Sequence, residues 1–216
     1  MMYKVDLHTH SIASKDGGLT PSQYRQFIED DKLDYIAITD HNTIELAAEL
    51  KSMLGEAIIV GEEIDSKDGE IIGLYLKKAV TPGMSATKTA RAIKQQGGLI
   101  YIPHPFETVR HGISKATLEK IMDQIDIIEI YNGRAVFQNK GPEATTFARL
   151  NNIPCAASSD AHGEKGMASV YSQISHKPTK NNLPTLLRTA HYSMVRPPLK
   201  TLLYPKINRI RKRLKP

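Results

Sequence analysis

The chain has 216 residues, 40% of them hydrophobic and 24% charged, with 14 glycines, one cysteine and a formal net charge of +6. That length holds one sizeable domain with a full core, and the composition is that of an ordinary globular protein. The single Cys155 excludes an internal disulfide, and no stretch approaches the roughly 18 uninterrupted apolar residues of a membrane span.

The first elements in chain order are the apolar run "YKVDL" (3–7), a predicted strand, and the helix "TPSQYRQFIEDD". In that helix Thr20 is placed to be the N-cap, Pro21 to take the first position and Gln23 to complete a capping box. Strands "YIAIT" (35–39) and "AIIVG" (57–61) flank the helix "TIELAAELKSML". A further run, "EIIGLYL" (70–76), is expected to form a hairpin with the third strand across the turn "SKDG". Helices "SATKTARAIKQQGG", "SKATLEKIMDQ" and "GPEATTFARLNN" then alternate with strands "LIYIP" (99–103), "DIIEI" (126–130) and "IPCAAS" (153–158), and "YSMV" (192–195) is read as a seventh strand. Strands alternating with helices at this spacing imply a parallel sheet closed into an irregular α/β barrel.

The excess charge is local. Lys206, Arg209, Arg211, Lys212, Arg213 and Lys215 lie in the terminal "KINRIRKRLKP" with no acid among them, so residues 1–205 are formally neutral. A single barrel domain over 1–205 and a basic tail over 206–216 are therefore expected. The tail could contact nucleic acid or an anionic surface, or be a solvated helix. The opening "MMYKVDLHTH" lacks the apolar run of a secretory leader, so a cytoplasmic protein is expected. The oligomeric state is not legible.

Ligands on a parallel barrel gather at the carboxyl ends of its strands. His8 and His10 follow the first predicted strand, Asp40 and His41 the second, and Glu62 and Glu63 the third. His104 follows the fourth, Asn132 the fifth, and Asp160 and His162 the sixth, so five of the eight histidines fall on one rim. Each alone has a structural reading: a His-x-His pair, a His-Pro turn and an Asp-x-His loop are all common. Together they point to imidazole and carboxylate ligands of a multinuclear metal site. In extended chain, residues i and i+2 point the same way, so His8 and His10 can share an ion.

The stretches "DLHTHS", "ITDHN", "GEEI", "HP" and "SSDAH", in this order between about Lys4 and Ile174, resemble the PHP (polymerase and histidinol phosphatase) family of metal-dependent phosphoesterases. The resemblance implies a distorted, TIM-barrel-like (β/α)7 fold and two or three divalent ions, Zn, Mn or Fe. It implies a first ion on His8, His10, bridging Glu63 and Asp160, and a second on Glu63 and His104. A third would lie on Asp16, His41 and His162. Glu63 is preferred to Glu62 because the family's glutamate lies two residues beyond the strand-ending glycine, here Gly61. Some members supply a further histidine to the second ion where this chain has Asn132.

Such a cluster would generate a metal-bridging hydroxide near neutral pH and clamp a phosphoryl group. Arg110, His111 and Arg134 follow the fourth and fifth strands and are candidates to bind the phosphate. His111 or Asp40 could protonate the leaving oxygen or orient a ligand. Asp6 reads equally as a partner of His8 or as a barrel-floor hydrogen bond, and His176 and His191 as structural. Only forty residues separate Glu63 from His104, too few for an inserted subdomain over the site. The expectation is hydrolysis of a phosphomonoester or phosphodiester of a nucleotide or small metabolite. The alternative is a non-catalytic metal-binding module recruited through its basic tail to nucleic acid, membrane or a protein.

Overall fold

The computed structural model describes residues 2–214, and Lys215 of the basic segment lies outside the described residues. Among the described residues nine strands form one sheet: β1 (Tyr3–Asp6), β2 (Tyr35–Ile38), β3 (Ile58–Ser66), β4 (Gly69–Leu74), β5 (Leu99–Ile102), β6 (Ile127–Asn132), β7 (Cys155–Ser158), β8 (Val170–Ile174) and β9 (His191–Met194). Their order is β7-β6-β5-β4-β3-β2-β1-β8-β9. Pairs β1–β2, β2–β3, β5–β6 and β6–β7 are parallel, whereas β4 is antiparallel to both its neighbours and β8 to β1 and β9. The sheet curls until β7 faces β8. There the Ser172 hydroxyl accepts from Ala157 N (3.0 Å) and donates to Ala157 O (3.1 Å), bridging a seam that has no ladder.

The result is the expected distorted α/β barrel with a different strand inventory. Six parallel strands make the wall, completed by antiparallel β4 and β8. The run "YSMV" is not a seventh parallel strand: it falls in β9, an antiparallel strand at the sheet edge. Its inner neighbour β8, "VYSQI", alternates buried and half-buried residues. That is the pattern of an antiparallel strand with one wet face rather than the continuous apolar run of a buried parallel one.

Helices α1 (Pro21–Glu29) and α2 (Glu45–Leu54) cover one side of the barrel. Helices α3 (Ala86–Gln95), α4 (Lys115–Ile121) and α5 (Gly141–Leu150) cover the other. Local chemistry sets their starts. Thr20 accepts from Gln23 N (3.4 Å) while Gln23 Oε1 accepts from Thr20 N (3.0 Å), the anticipated capping box; Ser85 and Ser114 cap α3 and α4 with their hydroxyls alone, which accept from Lys88 N and Thr117 N.

Inside the barrel Val5, Leu7, Ile59, Ile72, Tyr101 and Ile127 pack together, with Leu183 and Leu187 of α6 (Leu183–Leu187) joining the same cluster. Each fully buried aliphatic side chain contributes about 1.5–3 kcal/mol. The basic segment is not free chain. It forms α7 (Tyr204–Leu214), which packs on the carboxyl rim through the buried Asn208, whose Nδ2 donates to the carbonyls of Asp16 and His162 at 2.9 Å each.

Candidate metal centre

The rim gathers side chains from distant parts of the chain into one buried cluster. His8 Nε2 and His10 Nε2 are 3.1 Å apart. Both face Glu63, at 3.4 and 3.2 Å, and Asp160, at 3.6 and 3.5 Å. His104 Nε2 lies 3.2 Å from Glu63 Oε1. Asp16 Oδ1 is 3.7 Å from His41 Nε2 and 3.5 Å from His162 Nε2, and His41 Nε2 is 3.5 Å from Glu63 Oε2. All eight anticipated metal-site residues thus meet, with Glu63 central. The donor set suits cations. Several imidazole nitrogens share a few carboxylate oxygens, and buried His41 Nδ1, His104 Nδ1 and His162 Nε2 have no hydrogen-bond partner among the described residues. A larger cavity, of about 410 Å³ between α4 and α5, is lined without any histidine.

The supporting framework is rigid. Glu129, the sole charged residue of β6, is buried beneath the cluster. Its carboxylate accepts from His8 Nδ1 (3.1 Å), Tyr101 Oη (2.8 Å), His104 N (2.7 Å) and Asn132 Nδ2 (2.8 Å), turning His8 Nε2 toward Glu63. His104 (φ 28°) and Asp160 (φ 51°) hold positive-φ backbones that non-glycine residues seldom adopt, a strain tolerated where the surroundings over-determine it. Gly17 lets the loop after β1 fold back on itself, since a Cβ there would stand 2.1 Å from Ser11 O.

Asp40 does not reach the cavity. It is buried, and its carboxylate accepts both the N–H and the O–H of Ser11, so it braces the β1 loop rather than facing a leaving group. Asp6 is the floor of the site: it accepts from His8 N (3.3 Å) and Ser159 N (3.1 Å), not from the His8 ring. His176 and His191 are exposed and remote from the cluster.

The residues that sequence reasoning missed are Glu129, Glu107 and Glu70, besides the α7 contacts. Glu129 had a signal, a lone charge inside an apolar strand. Glu107 is buried and holds the Arg110 guanidinium, with Nε and Nη2 donating at 2.7–2.8 Å. Glu70 opens β4, which runs antiparallel, so its first residues rather than its last reach the rim.

The field inside the cluster sorts the ionisable groups. Burial opposes ionisation of Glu63, but His8 and His41 beside it hold it well below the usual carboxylate range, and Asp160 is lowered in the same way by His8 and Arg134. Burial works against a charged His10, yet Asp160 and Glu63 outweigh it and lift the ring to about 9. For His41 and His162 burial wins, and they fall to about 4 and about 3. Burial, reinforced by Glu63, Asp65 and Asp160, raises Glu70 to about 9. Without cations the cluster balances its carboxylates with ring protons, which metal ions would displace.

No protein-family model matches the chain. It is 30% identical to the uncharacterized protein MJ1587 of Methanocaldococcus jannaschii over 149 residues, covering 63% of this chain and 87% of that one. It is 31% identical to the uncharacterized protein MJ0417 of the same organism over 176 residues, 80% of this chain and 70% of that one. The chain belongs to the family of these archaeal proteins. Its fold is that of PHP-like phosphoesterases. A two-domain Bacteroides vulgatus protein containing a predicted PHP-like metal-dependent phosphoesterase superposes with a TM-score of 0.72 at 20% identity, over 90% of this chain. The match spans 65% of that protein, just under two thirds of its length. PsfC of Pseudomonas syringae gives 0.64 at 14% identity over 98% of both chains. The lesion-specific endonuclease EndoQ of Pyrococcus furiosus gives 0.60 at 15% identity, over 89% of this chain and 57% of that one.

In this member of the archaeal family a cavity of about 240 Å³ opens on the cluster, lined by Asp16, His41, Glu63, Glu70, His104 and Asp160 and by the basic residues Arg110, His111, Arg134 and Arg209. Arg110 Nη1 donates to Asp160 Oδ2 at 2.8 Å, and Arg134 Nη1 lies 3.5 Å from the same oxygen. His111 is exposed at the mouth. Arg209 of α7 reaches Asp16 Oδ2 at 2.8 Å, and Lys212 donates to the carbonyls of Ile12 and Ser14. No helix among the described residues is long and apolar enough to cross a membrane.

Proposed function

We propose that this protein is a metal-dependent phosphoesterase that hydrolyses a phosphomonoester or phosphodiester of a nucleotide or small metabolite. The observation that carries the reading is the convergence of His8, His10, Asp16, His41, Glu63, His104, Asp160 and His162 on one buried rim, with three arginines around the same cavity. In this reading His8, His10, Glu63 and Asp160 hold one ion, Glu63 and His104 a second, and Asp16, His41 and His162 a third. The metals are Zn, Mn or Fe, for which mixed imidazole and carboxylate sets are suited. When bound, such ions neutralise phosphoryl charge and make a water acidic enough to attack near neutral pH.

The chain's own groups do the positioning. Glu129 fixes the His8 ring, and Glu107 holds the Arg110 guanidinium at the cavity edge. In this reading Arg134, whose Nε has no hydrogen-bond partner among the described residues, donates to a phosphoryl oxygen, and Arg110, whose N–H groups already go to Glu107, Asn132 and Asp160, adds positive charge at the same edge. In this reading His111, exposed at the mouth, gives a proton to the leaving oxygen. The cavity is small for a ligand site, so it takes the phosphoryl group and leaves most of the ester outside it. The exposed bases of α7 beside it favour a substrate with further negative charge, such as a nucleic-acid strand.

The test combines elemental analysis of protein purified without chelator with a phosphate-release screen over nucleotides, sugar phosphates and short oligonucleotides. At least two equivalents of transition metal and release from one class are expected. Less than one equivalent, with none taken up on addition, would sink the reading.

A further inference from the structure

Glu70 is buried in the cavity wall without the partners that its neighbours have. Among the described residues its carboxylate accepts no hydrogen bond, and the arginines of the cavity are committed elsewhere. Arg110 goes to Glu107 and Asp160, Arg134 to Asp160, and Arg209 to Asp16. The side chain is nevertheless held in place. Glu70 N donates to His111 O at 2.7 Å, its Cα pairs with Asp65 of β3, and Ile72 and Leu74 on the same face pack into the barrel interior.

What surrounds the carboxylate is a set of ligating atoms. Oε2 is 3.7 Å from His104 Nε2, which is 3.2 Å from Glu63 Oε1, and Oε1 is 3.8 Å from His41 Nδ1. One ligand atom each from Glu63, Glu70 and His104 fall within 4.8 Å of one another. That spread is about twice the ~2.0–2.2 Å bond between such an ion and its nitrogen or oxygen ligands, as expected of atoms around a common centre.

Across the cavity, the end of β6 has nothing to offer the same ion. Asn132 Oδ1 already accepts from Arg110 Nη1 (2.6 Å) and Arg134 N (2.8 Å), and its Nδ2 donates to Glu129 and Asp160. An amide oxygen with two donors on it has no lone pair left for a metal. Without Glu70, the ion beside His104 would have His104 alone besides carboxylates, Glu63 and Asp160, that it shares with the first ion.

We infer that Glu70 is a metal ligand which, with Glu63 and His104, holds the ion on the β4–β5 side of the cluster; the inference rests on the metal-dependent reading above. Glu70 supplies a further protein ligand from the amino end of an antiparallel strand, leaving the remaining positions to water and substrate. A buried carboxylic acid that only handed on a proton would leave metal binding untouched, so counting ions separates the two roles.

The experiment strips the full chain with chelator, verifies folding by thermal melting and titrates Mn²⁺ alone by equilibrium dialysis with elemental analysis. Glu70→Gln is expected to bind one ion fewer than wild type at concentrations that saturate wild type. Equivalently, one site should be weakened by about a hundredfold or more, the upper end of what lost supporting contacts already cost. Glu70→His, which puts a ligating ring at the same place, is expected to keep the full count. Glu70→Ala repeats the test if the glutamine variant does not fold. Equal stoichiometry and affinity in wild type and Glu70→Gln overturns the inference and leaves the phosphoesterase reading standing. Wild type that takes up no metal overturns both.

Discussion

The two faces of β3 put adjacent glutamates into opposite states. Glu63 and Glu62 are both buried, at 2% and 0% exposure, and differ only in which way the strand turns them. Glu63 faces inward among His8, His10, His41 and His104, and despite its burial their positive field holds its carboxyl well below the usual range. Glu62 faces outward beside Val80, on the side where Ile64 packs. Among the described residues it receives one hydrogen bond, from Val80 N at 2.7 Å, and its other oxygen has no partner. Burial therefore dominates, and its carboxyl is pushed up to about 7. Burial alone does not decide whether a carboxylate stays charged; the charges beside it do.

The largest expected effect breaks the inner side of this contrast. Glu63→Gln removes the central charge and is expected to lower turnover by at least about a hundredfold, with loss of bound metal seen by elemental analysis. Glu62→Gln is expected to leave metal content intact. A reversal between the two variants would mean that the strand register places Glu62 at the bridge.

The outer side is sharpened by pH. The folded-state value of Glu62, about 7, lies above its ordinary 4.5, so the folded chain binds more protons than the unfolded one between these values. Its contribution is therefore best below about pH 4.5 and worsens as pH rises through about 7. Glu62→Gln should match wild type near pH 4.5 and exceed it by about 1–2 kcal/mol at pH 8 in denaturant melts. An equal difference at both pH values would refute the assignment.

Asp16 is intermediate, with histidines on one side and Arg209, half exposed, on the other. Arg209→Ala is expected to change KM for a small phosphate ester by no more than about fivefold, the scale of an exposed ion pair, with metal content unchanged. Removing residues 206–216 should add weaker binding to single-stranded nucleic acid and a flatter salt dependence. Polyanion binding that survives the truncation would rule out a recruiting role for the helix.

Much of this was legible in local patterns. The Thr20–Gln23 box and the apolar runs of β2 and β5 mark their own elements because capping and burial on both faces leave simple signatures. Seven of the eight rim residues were legible because parallel strands deliver their carboxyl ends to one place, whereas Asp16, ten residues beyond the end of β1, came only from the family resemblance. Antiparallel insertions break that rule. Glu70 precedes its strand's apolar run, and β8 alternates polar and apolar residues like an exposed edge. Asp40 shows the opposite failure: it follows its strand at the expected position, yet Ser11 claims both its oxygens. Nothing in "KINRIRKRLKP" announces where its helix docks, because the decisive contacts run from Asn208 to two backbone carbonyls.

That docking has a consequence for the order of biosynthesis. Asn208 joins its helix to the carbonyls of Asp16 and His162, partners 192 and 46 residues earlier in the chain. Synthesis runs from the amino end, so all eight rim side chains are made well before the helix that leans over Asp16. Until then the loops that carry Asp16 and His162 lack the Asn208 amide that ties their carbonyls together.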